Sequence, residues 1–319
     1  MSFTILGTGS ALPAKTVTND DMAKLVETSD EWIRTRTGIR ERHVITDESV
    51  TEITFTAAQR ALEMSGVSPQ ELDYIICPTV GGDWISPSLA CMIQERLGAT
   101  CPAVDVNAAC SGFLYGLDYA DGIFARKRAK YVLVAAAEGL SRLLNWKDRS
   151  TCVLFGDGAG AAVLGEGDSL RYLHLTAKGS LALHVPHAPG ESPFETNEQP
   201  PHGLVMDGRE IYRFAVSTIT AELRRASEET GIPFEEVDHV LLHQANQRIM
   251  DAASKKLHLP PEKVPSSIAR TANTSAASVP ILLDQEARLG HLHRGDILML
   301  CAFGAGLTSG TAVLQWTRD

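Results

Sequence analysis

The sequence predicts an α/β fold built from two copies of one strand–helix–strand unit, and three observations carry that prediction. The first is repetition. Glu71-Leu72-Asp73-Tyr74-Ile75-Ile76 recurs as Glu236-Val237-Asp238-His239-Val240-Leu241, and Tyr131-Val132-Leu133-Val134 as Asp296-Ile297-Leu298-Met299, both at an offset of 165 (236 − 71 and 296 − 131). Self-similarity over so long a period marks a duplicated α/β unit. Second, runs such as Val240-Leu241-Leu242 and Ile297-Leu298-Met299-Leu300 are continuously apolar. They read as strands buried on both faces, in a five-layer or doubly wound arrangement. Third, Gly160-Ala161-Ala162-Val163-Leu164 matches Gly310-Thr311-Ala312-Val313-Leu314 at an offset of 150 (310 − 160). The drop of 15 (165 − 150) places an extra loop near residues 139–155, and the two halves divide as 1–167 and 168–319.

The elements follow in order. Thr4-Ile5-Leu6-Gly7-Thr8-Gly9-Ser10 superficially resembles a dinucleotide-binding turn, but Leu12 and Pro13 leave no helix to receive a pyrophosphate. Thr28-Ser29-Asp30-Glu31 reads as a capping box with Thr28 at the cap. The helix it opens carries Trp32 and Arg36 on one face. An amphipathic helix over 51–65 precedes a buried strand over 74–79 and a helix over 88–97. The run Pro102-Ala103-Val104-Asp105-Val106 ends in small residues around Cys110, then passes into a buried helix with Phe113, Leu114, Leu117, Ala120 and Phe124 at helical spacing. A strand over 131–137 and the glycine-rich loop Gly156-Asp157-Gly158-Ala159-Gly160, feeding a strand over 161–164, complete the first half. In the second half, Val240-Leu241-Leu242 ends in His243-Gln244-Ala245-Asn246, and Ala272-Asn273-Thr274-Ser275 precedes the helix around Ile281-Leu282. At the 165 offset, Ser275 faces Cys110.

Composition narrows the function. The chain has 319 residues, enough for two domains or one large α/β unit; 44% are hydrophobic and 21% charged, an ordinary globular balance. No apolar run is long enough to span a bilayer, and no basic-then-apolar leader precedes the strand-like Phe3-Thr4-Ile5-Leu6, so a cytoplasmic protein is expected. A net charge of −10 argues against a general nucleic-acid binder while leaving room for a basic patch that docks an acidic partner. Six cysteines without a C-x-x-C pair suit reduced thiols, and ten histidines without H-E-x-x-H give no reason to expect a metal.

Cys110 is placed at a strand-to-helix elbow, where unpaired N–H groups and the helix dipole stabilise a thiolate. Strand ends of α/β folds face the ligand crevice, so His243 and Asn273 converge on the same region by pseudo-symmetry. Taken singly, Cys110 reads equally well as a small core hydrophobe, His243 as a satisfied core histidine and Asn273 as a helix cap. Three such residues at related strand ends read as a site.

Here the sequence resembles β-ketoacyl-[acyl-carrier-protein] synthase III of the thiolase superfamily from end to end. The resemblance is carried by Asp30-Glu31-Trp32-Ile33, Arg36-Thr37-Gly38-Ile39-Arg40-Glu41-Arg42, the Cys110 elbow, Gly156-Asp157-Gly158-Ala159-Gly160, His243-Gln244-Ala245-Asn246 and Asn273-Thr274-Ser275-Ala276-Ala277-Ser278. It implies a thiolase-like, five-layer αβαβα fold of mixed sheets and a Cys110–His243–Asn273 triad. The implied reaction is the condensation of a short acyl-CoA with malonyl-acyl carrier protein (ACP). Acyl-CoA is a substrate and no cofactor is implied. The adenine of coenzyme A is expected between Trp32 and Arg149, with Thr28 and Arg36 nearby. Backbone N–H groups of Cys110 and Ala305 are expected to form an oxyanion hole; Ala305 stands where related synthases commonly have glycine. Ser150 and Leu143-Leu144-Asn145 also depart from the commoner pattern. Arg248, Lys255 and Lys256 share a helix face, and with Arg213 they are expected to dock ACP. Ile85 is expected to cross a homodimer interface and end the partner's acyl pocket, admitting primers longer than acetyl.

Rival families fit less well. Elongating ketosynthases use two histidines and thiolases a second cysteine, and a papain-like protease would carry its cysteine near the mature N-terminus with disulfides. Plant-type polyketide synthases share Cys, His and Asn but usually carry G-F-G-P-G, where this chain has Gly304-Ala305-Gly306-Leu307-Thr308. The alternative that remains is a starter-unit synthase of polyketide or other specialised metabolism.

Overall fold

The continuous apolar runs become strands covered on both faces. The computed structural model describes residues 2–186, Phe194 and residues 203–319. In the first half, β1 (Ser2–Ala11), β2 (Tyr74–Pro78), β3 (Ala103–Val106), β4 (Tyr131–Glu138) and β5 (Gly158–Gly167) form a mixed sheet in the order β1-β5-β4-β2-β3. In the second, β6 (Leu170–Ser180), β7 (His239–Leu242), β8 (Ile297–Gly304) and β9 (Gly306–Gln315) form another in the order β7-β8-β9-β6. Ahead of these layers lies α1 (Asp30–Thr37). Helices α2 (Val50–Ser65) and α3 (Leu89–Leu97) cover the outer face of the first sheet, and α4 (Gly112–Ala125) lies between the sheets. α5 (Gly208–Thr230) and α6 (Gln247–Leu257) cover the outer face of the second sheet, and α7 (Ser278–Arg288) joins α4 in the middle layer. Five layers result.

The layering explains the absence of visible alternation in the strands. In β4, Val132, Val134 and Ala136 join the central core, whereas Leu133, Ala135 and Ala137 join the core beneath α2 and α3. In β8, Leu298, Leu300 and Ala302 face the centre while Met299, Cys301 and Phe303 face α5 and α6. The period of two persists, but both of its faces are apolar.

Strand register refines the repeat. Tyr74 pairs with Val132 and His239 with Leu298, so β2 and β7 differ by 165 (239 − 74) while β4 and β8 differ by 166 (298 − 132). Leu164 lies opposite Val132 and Leu314 opposite Leu298, which keeps the last offset at 150 (314 − 164). The second half has gained one residue before its elbow. Cys110 therefore corresponds to Ala276, and not to Ser275 as a uniform offset predicts. Asn273 corresponds to Asn107. Each elbow is a single 3-10 turn, Ala109–Ser111 or Ser275–Ala277, that enters through a left-handed residue, Ala109 at φ +46° and Ser275 at φ +50°. Each is braced by its asparagine: Asn107 Oδ1 accepts the Ala109 N–H at 3.2 Å and Asn273 Oδ1 the Ser275 N–H at 2.8 Å.

Three local expectations change. The cap of α1 is Ser29, whose hydroxyl accepts the Trp32 N–H at 3.1 Å, and not Thr28. The glycine-rich run is already strand from Gly158 onward. The counterpart of β3 is the short helix Ile268–Thr271, so the second sheet lacks that strand. The extra loop of the first half does exist. It contains the short helix Arg149–Cys152, and its end crosses to the second half, where the Asn273 N–H donates to Leu154 O and the Gly156 N–H to Asn273 O, each at 3.0 Å.

Gly7 and Gly9 are explained by packing. A methyl at Gly9 would overlap the Ala57 carbonyl of α2, and one at Gly7 the Ala61 carbonyl. β1 and α2 thus approach backbone to backbone. Gly9→Ala should push α2 off the sheet at a cost of roughly 1–3 kcal/mol, typical of overpacking. The check is thermal unfolding, where an unchanged midpoint would contradict this packing.

Candidate active site

β3 ends against the Cys110 elbow, and the cysteine is only 7% exposed. It stands where two cavities meet. A small one of about 90 Å³ is shared with His243, Asn273, Phe303 and Gly304. A wider one of about 850 Å³ is lined by Asn107, Ser275, Ala305 and Ile85 among others. Burial pushes the Cys110 thiol up to about 12; the Ser275 side chain opposes this and the nearby Glu138 adds to it. The resting group is therefore the thiol. The stabilisation of a thiolate expected from the helix N-terminus is opposed by this burial.

His243 follows β7, and its N–H donates to Cys301 O at 2.8 Å, continuing the ladder by one rung. Its Nδ1 lies 2.6 Å from Ser278 Oγ at the start of α7, and that oxygen also accepts the Gln244 N–H at 3.3 Å. With its lone pairs so placed, the Ser278 hydroxyl donates to Nδ1, leaving Nε2 as the N–H that serves the cavity. Burial holds the imidazole down to about 3, so it is neutral throughout the physiological range. Phe303 packs edge-on against the ring, with centroids 5.2 Å apart. Asn273 spends Oδ1 on its elbow, which leaves its amide NH2 as the donor for a ligand. Gln244 staples the strand end: its Oε1 accepts the N–H groups of Ser267 and Ile268 at 3.0 and 3.2 Å, and its Nε2 donates to Leu242 O at 2.7 Å.

The third wall is the β8–β9 hairpin. A Cβ at Gly304 would lie 2.7 Å from the Cys110 nitrogen, and Ala305 follows at the tip. Thr308 ties this hairpin to the elbow, with its hydroxyl 3.0 Å from Ala108 O and 2.6 Å from Ser111 Oγ. Ser275, Ser278 and Glu138, which touch the triad or its neighbours, carry no sequence signal of their own beyond lying in or beside the quoted motifs and at a strand end.

The remaining expected residues fall into three groups. Arg36 and Arg149 each place a guanidinium against Trp32, at 4.8 and 5.0 Å from its ring, and Arg149 donates to Glu27 O at 2.7 Å. The Thr28 hydroxyl beside them is buried without a partner. The helix bearing Arg149 runs on to Leu154 and Phe155, which line the small cavity. Arg248, Lys255 and Lys256 are exposed on α6 and Arg213 on α5, while Tyr212 and Asn246 from the same region reach the cavity. Ile85 is 87% exposed at the rim of the wide cavity.

A buried cysteine facing a histidine and an asparagine, where two duplicated α/β halves meet, defines a condensing enzyme of thiolase-like fold. Family models for 3-oxoacyl-[acyl-carrier-protein] synthase III match residues 104–179, and for its C-terminal part residues 227–316. The β-ketoacyl-[acyl-carrier-protein] synthase III of Xanthomonas campestris pv. campestris is 45% identical over 317 residues, covering 98% of each chain. The crystal structure of 3-oxoacyl-[acyl-carrier-protein] synthase III from Aquifex aeolicus superposes with a TM-score of 0.91 at 42% identity, covering 98% of this chain and 100% of that one. The priming β-ketosynthase of the R1128 polyketide pathway gives 0.92 at 34% identity, covering 99% and 97%. The chain belongs to the β-ketoacyl-[acyl-carrier-protein] synthase III family.

Gly304→Ala should disable the site without replacing any of its polar side chains, because its methyl would lie 2.7 Å from the Cys110 nitrogen and 3.2 Å from the Cys110 Cβ. Acyl transfer to Cys110 should fall by roughly 100-fold, the scale of losing one oxyanion donor, if the Cys110 N–H has the role expected from the sequence. Wild-type acyl transfer in this variant would refute the contact.

Proposed function

We propose that this protein catalyses the decarboxylating Claisen condensation of a short acyl-CoA with malonyl-ACP, giving 3-oxoacyl-ACP and so starting type II fatty acid synthesis. The observation that carries this reading is that Cys110, His243 and Asn273 share one cavity, with the free positions on His243 and Asn273 both hydrogen-bond donors. Cys110 attacks the thioester carbonyl and CoA leaves as its thiolate. The oxyanion is held by the backbone N–H groups of Cys110 and Ala305. Malonyl-ACP then loses CO₂, and the enolate oxygen is held by His243 Nε2–H and the Asn273 amide. A neutral imidazole suits this step, since it donates without presenting a proton acidic enough to quench the enolate. The enolate carbon attacks the acyl-enzyme and releases Cys110.

Coenzyme A is placed along Trp32 and Arg149, with Thr28 and Arg36 beside it; the unpartnered Thr28 hydroxyl supports a ligand there. The exposed Arg213, Arg248, Lys255 and Lys256 are read as the ACP dock. The exposed Ile85 and Trp84 support a homodimer in which Ile85 ends the partner's acyl pocket. No helix among the described residues is long and apolar enough to cross a membrane, in keeping with a cytoplasmic enzyme.

The half-reactions separate by variant. Incubation with a short acyl-CoA should add one acyl mass to the wild type and none to Cys110→Ala. Asn273→Ala should still acylate, yet condense several hundred-fold more slowly, corresponding to roughly 3–4 kcal/mol. A condensation rate like that of the wild type would remove Asn273 from the mechanism.

Reversing charge with Arg248→Glu should weaken malonyl-ACP use and its salt dependence while sparing acylation by acyl-CoA. Equal losses on both substrates would argue against docking.

The wild type should use four- and five-carbon primers alongside acetyl-CoA, and Ile85→Phe should trim the longer ones. Each buried methylene is worth about 0.8 kcal/mol, so the preference shifts several-fold. An unchanged primer profile in Ile85→Phe would dismiss this pocket wall.

A further inference from the structure

The rim of the wide cavity carries a carboxylate that the chemistry of the triad does not use. Asp83 opens the run Asp83-Trp84-Ile85, which lines the cavity shared with Cys110. Its side chain is only 12% exposed. Oδ1 accepts the Val50 N–H at 3.0 Å and Arg142 Nη1 at 2.7 Å. Oδ2 accepts the Thr51 N–H at 2.8 Å and the Thr51 hydroxyl at 2.7 Å. Val50 and Thr51 are the first two residues of α2, and the next N–H, on Glu52, goes to the Ser49 cap at 3.0 Å. Asp83 thus completes the start of α2 from outside the helix.

The loop beyond Asp83 is tied down only at its ends. Trp84 and Ile85 are 63% and 87% exposed, and the next anchor is at Leu89 and Ala90, whose N–H groups each donate to the Asp105 carboxylate at 2.8 Å. On the other side of Asp83, Arg142 belongs to the 3-10 turn Leu140–Leu143, and Leu140 and Leu143 line the same cavity. That turn is a firm base: the Ser141 N–H donates to Asp157 Oδ1 and the Leu204 N–H to Leu143 O, each at 2.8 Å. An exposed ion pair ordinarily contributes little, because two long side chains must be ordered to form it. Here the carboxylate is already held by α2, so only the arginine has to be ordered. The pair closes a bridge between two walls of one cavity.

We propose that Asp83, clamped between the start of α2 and Arg142, sets the position of Trp84 and Ile85 and thereby limits the length of the acyl primer. The inference rests on the acyl-Cys110 reading above and adds to it a determinant of chain length. Asp83 is a positioning residue, since it acts through the two residues that follow it. Discrimination by one methylene requires an apolar wall that does not yield. A rim free to swing on its Leu89 anchor gives way to a longer chain at little cost. Whichever protomer's pocket Ile85 closes, the limit follows the bridge that holds its loop.

The test offers acetyl-CoA and hexanoyl-CoA in equal amounts to the full-length protein and reads the two Cys110 adducts by intact mass at early times. In Arg142→Gln the hexanoyl-to-acetyl ratio should rise about tenfold, the scale of one methylene in a shaped pocket. Arg142→Lys, which keeps a cationic donor for Oδ1, should stay near the wild-type ratio. Asp83→Asn has one acceptor oxygen in place of two, so it should raise the ratio at least as far. The double variant should go no further than Asp83→Asn alone, because both changes cut one bridge. A purely structural role moves the unfolding midpoint and both adducts together, whereas Arg142→Gln should leave the midpoint nearly unchanged. A wild-type ratio in Arg142→Gln and Asp83→Asn, or equal loss of both adducts, would overturn the inference while leaving the acyl-Cys110 reading in place. A wild type that forms neither adduct would overturn both.

Discussion

The Cys110 and Ser275 turns are pressed together at the centre of the molecule, so tightly that a Cβ on Gly112 would lie 3.2 Å from the Ala276 Cβ. This contact holds α4 and α7 in one layer, and that layer spaces the two sheets. Each turn begins in a backbone conformation unfavourable for its residue and persists because its asparagine bonds the N–H two residues on. Once the turns are fixed, the ends of β7 and β8 have one way to meet them, and His243 and Gly304 arrive beside the sulfur as a consequence. The strain at the elbows is set against the burial of a continuous apolar core above and below them.

Desolvation also decides the ionisation of the site. The same burial drives His243 down to about 3, Cys110 up to about 12 and Glu138 up to about 8. Full charges are expensive there, so the groups best suited to transient anions are neutral donors: an imidazole N–H, an amide and backbone N–H groups. Such donors need no reorganisation when charge develops, and in a water-poor cavity each interacts more strongly than in solvent.

Much of this could be read from residue order, because the governing patterns were local or repeated at a nearly constant offset. The duplication, the buried strands and the convergence of Cys110, His243 and Asn273 followed from apolar runs and a fixed offset. What escaped lies in long-range geometry. A one-residue gain before the second elbow is silent in pattern but shifts the partner of Cys110 from Ser275 to Ala276. The helix Ile268–Thr271 stands where repetition called for a strand. Thr28 and Ser29 are both good caps, and only the backbone chooses Ser29. Glu138 closes an apolar strand like any surface carboxylate, and its burial is imposed by the other half of the chain. The opposition of burial to ionisation at Cys110 escaped for the same reason: the helix end is visible in sequence, whereas the depth of burial is not.

The register of the two sheets has a further consequence. At the offset of 166, Glu138 of β4 corresponds to Gly304 of β8 (304 − 138), just as Cys110 corresponds to Ala276 (276 − 110). The Ala276 N–H, which lowers the Glu138 carboxyl against its burial, is therefore the twin of the Cys110 N–H proposed to meet the substrate oxyanion. The molecule contains two copies of one anion cradle. In one copy the strand ends in a carboxylate, Glu138; in the other it ends in Gly304, which leaves room for the thioester of the proposed reaction. A pair of once-equivalent sites has thus divided its labour, with one kept permanently filled by the chain itself and the other left open for chemistry.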